Sequence, residues 1–298
     1  MFEQIAKGPA TSSKGKGKMV IGVDTLPVLP TDPGDRNRTS PFAFTGNRFE
    51  FRAPGSGQTV SVPMVMLNTI MAEALDHCAT ELEAAVGAGT DFDSAVQSLL
   101  NSIITAHGAV VFNGDGYSEK WQLEAAERGL PNLRTTLDAL PELVTDEAVA
   151  LFEKYQVFSE REMHSRYEIG LEQYALTIGV EAKLMLEIGS TVILPAAVRH
   201  QTEVAQNVAA LKAAGVEADT APLGEVTGPL TELRTALAGL RAALAADAGE
   251  TTLSEAEHAG NELLPAMAAL RAAADTLEGI VADDLWPLPS YQEMLFIR

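Results

Sequence analysis

The sequence predicts an α+β protein in which a short strand segment precedes a predominantly α-helical body with long antiparallel helices. Three observations support this class. Residues 48–52 alternate charged and aromatic side chains with the period of two that is typical of a strand. Most of the chain after Pro63 follows helical periodicity instead. Near the C-terminus, two leucine-rich runs repeat at steps of three and four residues, as in helices that pack side by side.

The strand segment lies within the first 62 residues. Residues 1–18 are small, polar and rich in Lys and Gly, which is typical of a flexible loop or tail. Residues 19–23, MVIGV, form a β-type run, and prolines interrupt the residues that follow. In residues 48–52, strand geometry places the three charged side chains on one face and the two phenylalanines on the other.

The helical body begins with three predicted helices. Residues 62–86 and 91–107 each have the length and periodicity of a helix. The turn-rich segment 111–121 leads into the third helix, for which Ser118 is the expected N-cap.

A longer helical run follows, from about residue 160 to about Ala214. Ser159 and Glu162 form a Ser-x-x-Glu capping box at its start. The run exceeds the length of an ordinary globular helix, and Pro195 is expected to kink or break it.

The two apolar seams near the C-terminus predict a pair of antiparallel helices with small alanines between leucine knobs. Ser254 is the expected N-cap of the second helix, and the aromatic segment 285–296 is expected to dock on the body. The first seam contains Leu230, Leu233, Leu237, Leu240 and Leu244, and the second contains Leu263, Met267, Leu270, Ala274 and Leu277.

Charge is distributed unevenly along the 298 residues, whose formal net charge is −20. Residues 1–60 have a formal charge of +3, whereas the remaining residues have −23. Such an acidic body repels phosphate backbones and anionic lipids, so neither a nucleic acid nor a membrane is an expected partner. The single cysteine, Cys78, excludes an internal disulfide and is consistent with a reducing compartment, so we expect a cytoplasmic protein.

Several familiar site patterns fail on spacing. SSKGKGK lacks the second glycine of a phosphate-binding loop, and a flexible basic loop is the preferred interpretation. Residues 113–119, NGDGYSE, lack the third oxygen ligand and distal glutamate of a calcium loop, which favours a turn. The five histidines have no metal-ligand spacing.

Residues 35–52, DRNRTSPFAFTGNRFEFR, are the strongest candidate site. A solvated strand face with mixed charges would explain their pattern equally well. In a functional site, arginine forks would hold phosphate or carboxylate groups, and Glu50 would coordinate Mg²⁺ or Mn²⁺. The candidate residues are Arg36, Arg38, Arg48, Glu50 and Arg52.

This motif resembles a motif of type III glutamine synthetase, and other blocks in the same order strengthen the resemblance. It implies ATP-dependent ligation of ammonia to glutamate through γ-glutamyl phosphate, in a homo-oligomer that uses Mg²⁺ or Mn²⁺. It also implies that the strand segment comes from an incomplete catalytic barrel. The blocks lie at residues 35–52, 66–75, 112–121, 158–196 and 285–296.

By position, the resemblance implies a role for each charged residue. Arg38 would contact the transferring phosphoryl group or glutamate, Arg48 the nucleotide phosphate, and Arg52 the glutamate, which makes Arg38 and Arg52 the catalytic candidates. Glu50 would be the metal ligand, and Arg36 a further binding residue. The better-known bacterial type has an additional arginine where this chain has Ala43.

The resemblance covers the C-terminal part of the family, and the other metal-binding residues of the family precede it. We therefore expect residues 1–62 to be part of a catalytic domain and residues 63–298 to be a helical C-terminal region. The isolated chain is expected to be catalytically inactive. The alternative is a non-catalytic helical assembly module whose Leu/Ala seams mediate contacts between subunits.

Overall fold

The computed structural model describes residues 5, 18–19, 29–30, 42–44, 48–52, 55, 58–289 and 291–295. The chain divides into two compact units. The first contains residues 1–134 and 151–157, and the second contains residues 135–150 and 158–298. Strands and helices are both present and helices predominate, as the α+β class predicts. The predicted division at residue 62 is based on sequence content and stays a prediction.

Two short antiparallel strand pairs lie in the first unit. Strand β1 (Lys18–Met19) pairs with β2 (Leu29–Pro30), and β3 (Phe42–Phe44) pairs with β4 (Phe49–Phe51). The strand β4 confirms the prediction from the alternating pattern. Of the predicted strand at residues 19–23, only Met19 is described, and the rest lies outside the described residues.

The first two predicted helices are confirmed as α1 (Ser61–Gly87) and α2 (Phe92–His107). Gly89 has a φ of +92° in the turn between them, a conformation that glycine adopts without steric cost. The Asp91 side chain then accepts a hydrogen bond from the Ser94 amide and caps α2. Pro63 lies in the first turn of α1, where a missing N–H breaks no helical bond.

The third predicted helix is α3 (Glu119–Glu127), which follows a 3₁₀ turn at Gly108–Val110. Ser118 is its N-cap as predicted, because the hydroxyl accepts a hydrogen bond from the Trp121 amide at 3.3 Å. Short elements come next: α4 (Thr136–Ala139), a 3₁₀ segment (Leu140–Val144) and α5 (Asp146–Lys154).

The long predicted run is helical throughout but changes type in its middle. It consists of α6 (Glu160–Ile188), a π-helical turn (Gly189–Ile193) and α7 (Leu194–Ala213). The capping box is confirmed, since Ser159 and Glu162 each bond to the other's backbone amide. Pro195 follows the π turn closely, so the regular α-helix is interrupted where a proline cannot supply its N–H.

The leucine seams lie on α8 (Ala221–Ala245) and on a second interrupted helix. That helix consists of α9 (Thr252–His258), a π-helical turn (Ala259–Leu263) and α10 (Leu264–Glu278). Here too a proline, Pro265, closely follows the π turn, although the sequence reasoning did not anticipate a break at this point.

The predicted N-cap of this helix is wrong by one turn. Thr251 is the cap, and Ser254 occupies the third helical position. The two side chains bond reciprocally, because the Thr251 hydroxyl accepts from the Ser254 amide and the Ser254 hydroxyl accepts from the Thr251 amide. Ser254 therefore completes a capping box instead of beginning the helix.

The two seams form the core of the second unit. A short connection joins α8 to α9, and His258 lies 3.0 Å from the Ala243 carbonyl near the end of α8, as in a helical hairpin. Helix α6 adds Ile178 and Ala182 to this core, and Trp286 of the C-terminal segment packs against it. Docking of the C-terminal segment is thus confirmed at Trp286. The buried seam residues include Leu230, Leu233, Leu237, Leu240, Leu263, Met267, Leu270 and Leu277.

Gly189, at the junction of α6 and its π turn, is where this core is tightest. A Cβ atom at Gly189 would lie 2.9 Å from Leu237 Cδ2 and 3.5 Å from Leu270 Cδ2. Gly179 lies earlier in the chain, within α6. A Cβ atom at Gly179 would have no neighbouring atom within 4 Å. The two glycines therefore provide a matched pair for testing the close approach.

We expect Gly179→Ala to raise the free energy of unfolding by roughly 0.5–1 kcal/mol, because alanine is the better helix former. The same substitution at Gly189 should lower it by about 1–2 kcal/mol, because two buried leucines must move aside. Urea unfolding followed by circular dichroism measures both changes. Equal effects at the two positions would contradict the tight packing at Gly189.

The capping box predicts a pH dependence. Hydrogen bonds from the Ser159 backbone and hydroxyl lower the pKa of Glu162 below its ordinary value of 4.5. A lowered folded-state pKa contributes stability above pH 4.5 that is lost as the pH falls through the folded-state pKa. The stability difference between the unchanged chain and Glu162→Gln should therefore shrink on acidification below pH 4.5. Urea midpoints across this range measure it, and Glu181→Gln in the middle of the same helix is the control for removal of one charge.

Candidate functional site

Of the charged candidates that the structure describes, Glu50 lies within β4 of the β3–β4 hairpin, and Arg48 and Arg52 flank that strand. The register pairs Phe42 with Phe51, Ala43 with Glu50, and Phe44 with Phe49. Phe49 and Phe51 are 55% and 47% exposed, whereas Glu50 between them is half-buried. The alternation therefore separates the two faces of the strand as predicted, and Glu50 lies directly across from the buried Ala43.

The structure brings Arg48, Glu50 and Arg52 together on one face. Arg52 Nη2 lies 2.9 Å from Glu50 Oε2, and Arg48 Nη2 lies 3.5 Å from Glu50 Oε1. Residues two apart in a strand project to the same side at about 6.6–6.8 Å separation, which long side chains span easily. The result is one carboxylate between two guanidinium groups, with a net charge of +1.

The two arginines differ in exposure and in their distance from Glu50. The Arg52 side chain is 31% exposed and forms the closer contact, whereas the Arg48 side chain is 72% exposed and forms the longer one. Both have further interactions in the structure. Planar guanidinium groups favour bidentate contacts with carboxylate and phosphate, so this face suits a small anion.

Arg36 and Arg38, the other two predicted site residues, lie outside the described residues. The structure therefore places three of the five sequence-predicted candidates and does not place these two.

The fit to a divalent metal depends on Glu50. Within the described part of the chain, no three His, Cys, Asp or Glu side chains are grouped as metal ligands. Mg²⁺ is commonly held by one or two protein carboxylates together with substrate phosphates and water. Glu50 suits that mode as a single ligand, and the described residues do not form a complete metal cage around it.

A second charged cluster, missed by sequence reasoning, joins α1 to the end of α5 within the first unit. Lys154 Nζ lies 2.6 Å from Glu73 Oε2 and 3.0 Å from Asp76 Oδ2. The Tyr155 hydroxyl donates to Glu73 at 2.6 Å and lies 3.0 Å from Asp76. No local pattern reveals the cluster, because about 80 residues separate its two halves.

The charges of this cluster stabilise one another. Hydrogen bonds from Lys154, and then from Tyr155, lower the pKa of both Glu73 and Asp76. The same contacts with Glu73 raise the pKa of Lys154 and of Tyr155. Glu73 and Asp76 are both already paired with Lys154 and Tyr155 of the same unit. The cluster is therefore a set of charged hydrogen bonds that connects α1 to the end of α5.

The segment 113–119 is a turn, as predicted. Asp115 accepts a hydrogen bond from the Tyr117 amide at 3.0 Å, which is an Asx turn. Arg128 anchors the preceding residues by donating to the carbonyls of Ala109 and Val111. Its guanidinium group also lies over the Trp121 ring, 5.2 Å from the ring centroid.

None of the helices in the described ranges combines the length and the apolar character that crossing a bilayer requires.

Comparisons with known proteins agree on one family. The model of the glutamine synthetase C-terminal domain matches residues 95–212. The type-3 glutamine synthetase of Dictyostelium discoideum is 37% identical over the whole chain and 42% of that enzyme's length. A glutamine synthetase of Bacteroides fragilis is 31% identical over 95% of the chain and 40% of its own length. The chain thus spans about two fifths of the length of the curated relatives it matches.

The matched domain covers α2 through most of α7, and the match to the relatives extends over the strand segment as well. The resemblance first seen in the separated sequence blocks is therefore confirmed, and the chain belongs to the glutamine synthetase family, in which it corresponds to a C-terminal portion of the type III enzymes.

Proposed function

We propose that the chain serves ATP-dependent ligation of ammonia to glutamate, as one portion of a larger glutamine synthetase. In this reaction ATP phosphorylates the side-chain carboxylate of glutamate, and ammonia then displaces phosphate from γ-glutamyl phosphate. The observation that carries the proposal is the convergence of Arg48, Glu50 and Arg52 on one strand face in a chain related to glutamine synthetases.

Each residue of this face has a proposed role. Arg48 contacts the nucleotide phosphate, and Arg52 contacts glutamate. Arg38 binds the transferring phosphoryl group or glutamate, and Arg36 is a further residue that binds an anionic group. Glu50 holds the Mg²⁺ or Mn²⁺ that the family implies, which would neutralise charge on the ATP phosphates when bound.

The geometry supports a division of labour between the two described arginines. Arg48 is more exposed and lies farther from Glu50, so its guanidinium group is the more accessible of the two to an incoming phosphate. Arg52 is held at 2.9 Å and is less exposed, which suits a residue that fixes the orientation of a substrate. A substrate anion would then replace Glu50 as a partner of Arg48 and leave a carboxylate oxygen for the metal.

The isolated chain is proposed to be inactive. A two-stranded hairpin is marginally stable by itself, and strand edges normally need further strands or a cover. Glu50 alone cannot complete a divalent metal site. We therefore propose that residues 1–62 contribute an active-site strand to an incomplete catalytic barrel, and that residues 63–298 form the helical C-terminal region.

The partners and the location of the enzyme are proposed from the same relationship to glutamine synthetases. Its partners would be glutamate, ammonia, ATP and further copies in a homo-oligomer, in the cytoplasm. The formal charge of −23 on the residues after 60 opposes binding to nucleic acids and anionic membranes.

The competing function is a non-catalytic helical assembly module. The leucine seams are buried inside this chain's own core, so such a module would have to use other surfaces for contacts between subunits. Exposed apolar side chains on α1, such as Met64, Met71 and Leu75, are available for that purpose.

We expect no glutamate- and ammonia-dependent phosphate release from the purified chain with ATP and Mg²⁺. The physical reason is the incomplete metal site and barrel. A coupled phosphate assay measures the rate, with the Bacteroides fragilis glutamine synthetase as a positive control. Turnover by the chain alone would contradict the proposed incompleteness.

In a complete synthetase that contains this chain, Glu50→Gln and Arg48→Ala should each lower kcat/KM by about 10²-fold or more, because charged contacts to a phosphoryl group are lost. Arg241→Ala and Glu232→Gln, at exposed positions on α8, are matched controls and should leave kcat/KM unchanged. Unchanged turnover in the site variants, together with loss of assembly, would instead favour the assembly module.

A further inference from the structure

Ala43 of strand β3 lies on the same face of the hairpin as the charged side chains. The register pairs Ala43 with Glu50. Directly paired residues of antiparallel strands project to one face, with their Cβ atoms about 4.5–5.5 Å apart. Arg48 and Arg52 are the diagonal neighbours of Ala43 on that face, at about 7–8 Å. Ala43 therefore has one charged residue opposite it and one on each diagonal.

Burial distinguishes Ala43 from its neighbours. Among the hairpin side chains that the structure describes, Ala43 alone is buried, with an exposure of 1%. The two phenylalanines of β4, on the other face, are about half-exposed. On the charged face, the side chains of Arg52 and Glu50 are only 31% and 34% exposed, so both are partly covered in the same region as Ala43. The methyl group of Ala43 thus lies beneath the ion-paired side chains.

A small residue at this position leaves room for the ion pairs. The carboxylate of Glu50 lies 2.9 Å from the guanidinium group of Arg52 and 3.5 Å from that of Arg48. A longer side chain at position 43 would occupy the space that the Glu50 side chain crosses. Extra carbon atoms in a filled space displace the neighbouring side chains. The carboxylate would move first, because a partly exposed side chain shifts more easily than a paired strand.

We propose that Ala43 is a positioning residue for Glu50, whose carboxylate it keeps between the two guanidinium groups in the orientation that suits a metal ligand. This inference rests on the proposed function, since the metal role of Glu50 belongs to that proposal. Ala43 acts through Glu50 and has no polar group with which to bind a substrate or a metal itself.

The test is the Mg²⁺ requirement of a complete synthetase that contains this chain. Ala43→Leu should raise the free Mg²⁺ concentration for half-maximal turnover by about 10–100-fold, because residues that orient a metal ligand affect metal affinity by this factor. Ala43→Ser adds one atom and should stay within about twofold of the unchanged enzyme. Steady-state phosphate release, with Mg²⁺ varied at fixed glutamate, ammonia and ATP, measures the requirement.

A second buried alanine provides the matched control. Ala95 of α2 lies in the same unit and is 3% exposed. Ala95→Leu should lower the midpoint of thermal unfolding without changing the Mg²⁺ requirement, because overpacking there is remote in the chain from Glu50. If Ala43→Leu does not fold, Ala43→Val carries the same test with two added carbon atoms, and β-branched side chains suit a strand.

A double-mutant cycle separates positioning from general packing. Glu50→Gln alone should raise the Mg²⁺ requirement. Ala43→Leu in the Glu50→Gln background should then change it by less than about threefold, because the carboxylate that Ala43 positions is already absent. Two independent effects that multiply would overturn the positioning role.

The single variants distinguish failure of this inference from failure of the proposed function. If Glu50→Gln raises the Mg²⁺ requirement and Ala43→Leu leaves it unchanged, the positioning role of Ala43 is wrong and the metal role of Glu50 stands. If Glu50→Gln leaves the requirement unchanged, the metal role of Glu50 is wrong, and the positioning role is wrong with it.

Discussion

The close packing of Leu237 and Leu270 against the backbone of Gly189 is the contact on which the helical unit depends. It joins three elements at one point, because the π turn that follows α6, helix α8 and helix α10 each supply one of the residues. The absence of a side chain at Gly189 lets the two leucine seams approach α6. A π turn begins at this glycine, and Pro195 follows it, so the change of helix type lies next to the tightest point of the core. The change from α-helix to π turn and the close packing of the two leucines therefore occur at the same residue, Gly189.

The sequence predicted the parts of this arrangement that depend on local pattern. The leucine seams and the Ser159–Glu162 capping box follow from spacing alone, and they are present as expected. The cap at Thr251 was misassigned to Ser254 because both residues are good caps, and only the backbone shows which one begins the helix. The ion pair of Lys154 with Glu73 joins segments distant in sequence, so no local signal could reveal it.

The charged strand face likewise combines a feature that the sequence predicted with one that it did not. Alternation alone predicted that Arg48, Glu50 and Arg52 share a face, because that follows from strand geometry. It could not predict that Arg52 would lie closer to Glu50 than Arg48 does, since this difference depends on side-chain conformation. The difference between the two arginines in distance from Glu50 bears on how the proposed site would bind an anion. In the proposed site, Arg52 would already be in place to bind an anion, and Arg48 would exchange its carboxylate partner for the substrate.

Helix α6 carries apolar side chains beyond the face that it buries. A surface helix normally needs one apolar face, which it buries, and further exposed apolar residues lower its amphipathic character without helping its own fold. Ile169, Leu176, Val180 and Leu184 are 48–60% exposed. Gln173 and Glu187 project from the same side of the helix, so polar side chains interrupt this row. The core of the unit therefore accounts for the buried face of α6 and not for these exposed side chains.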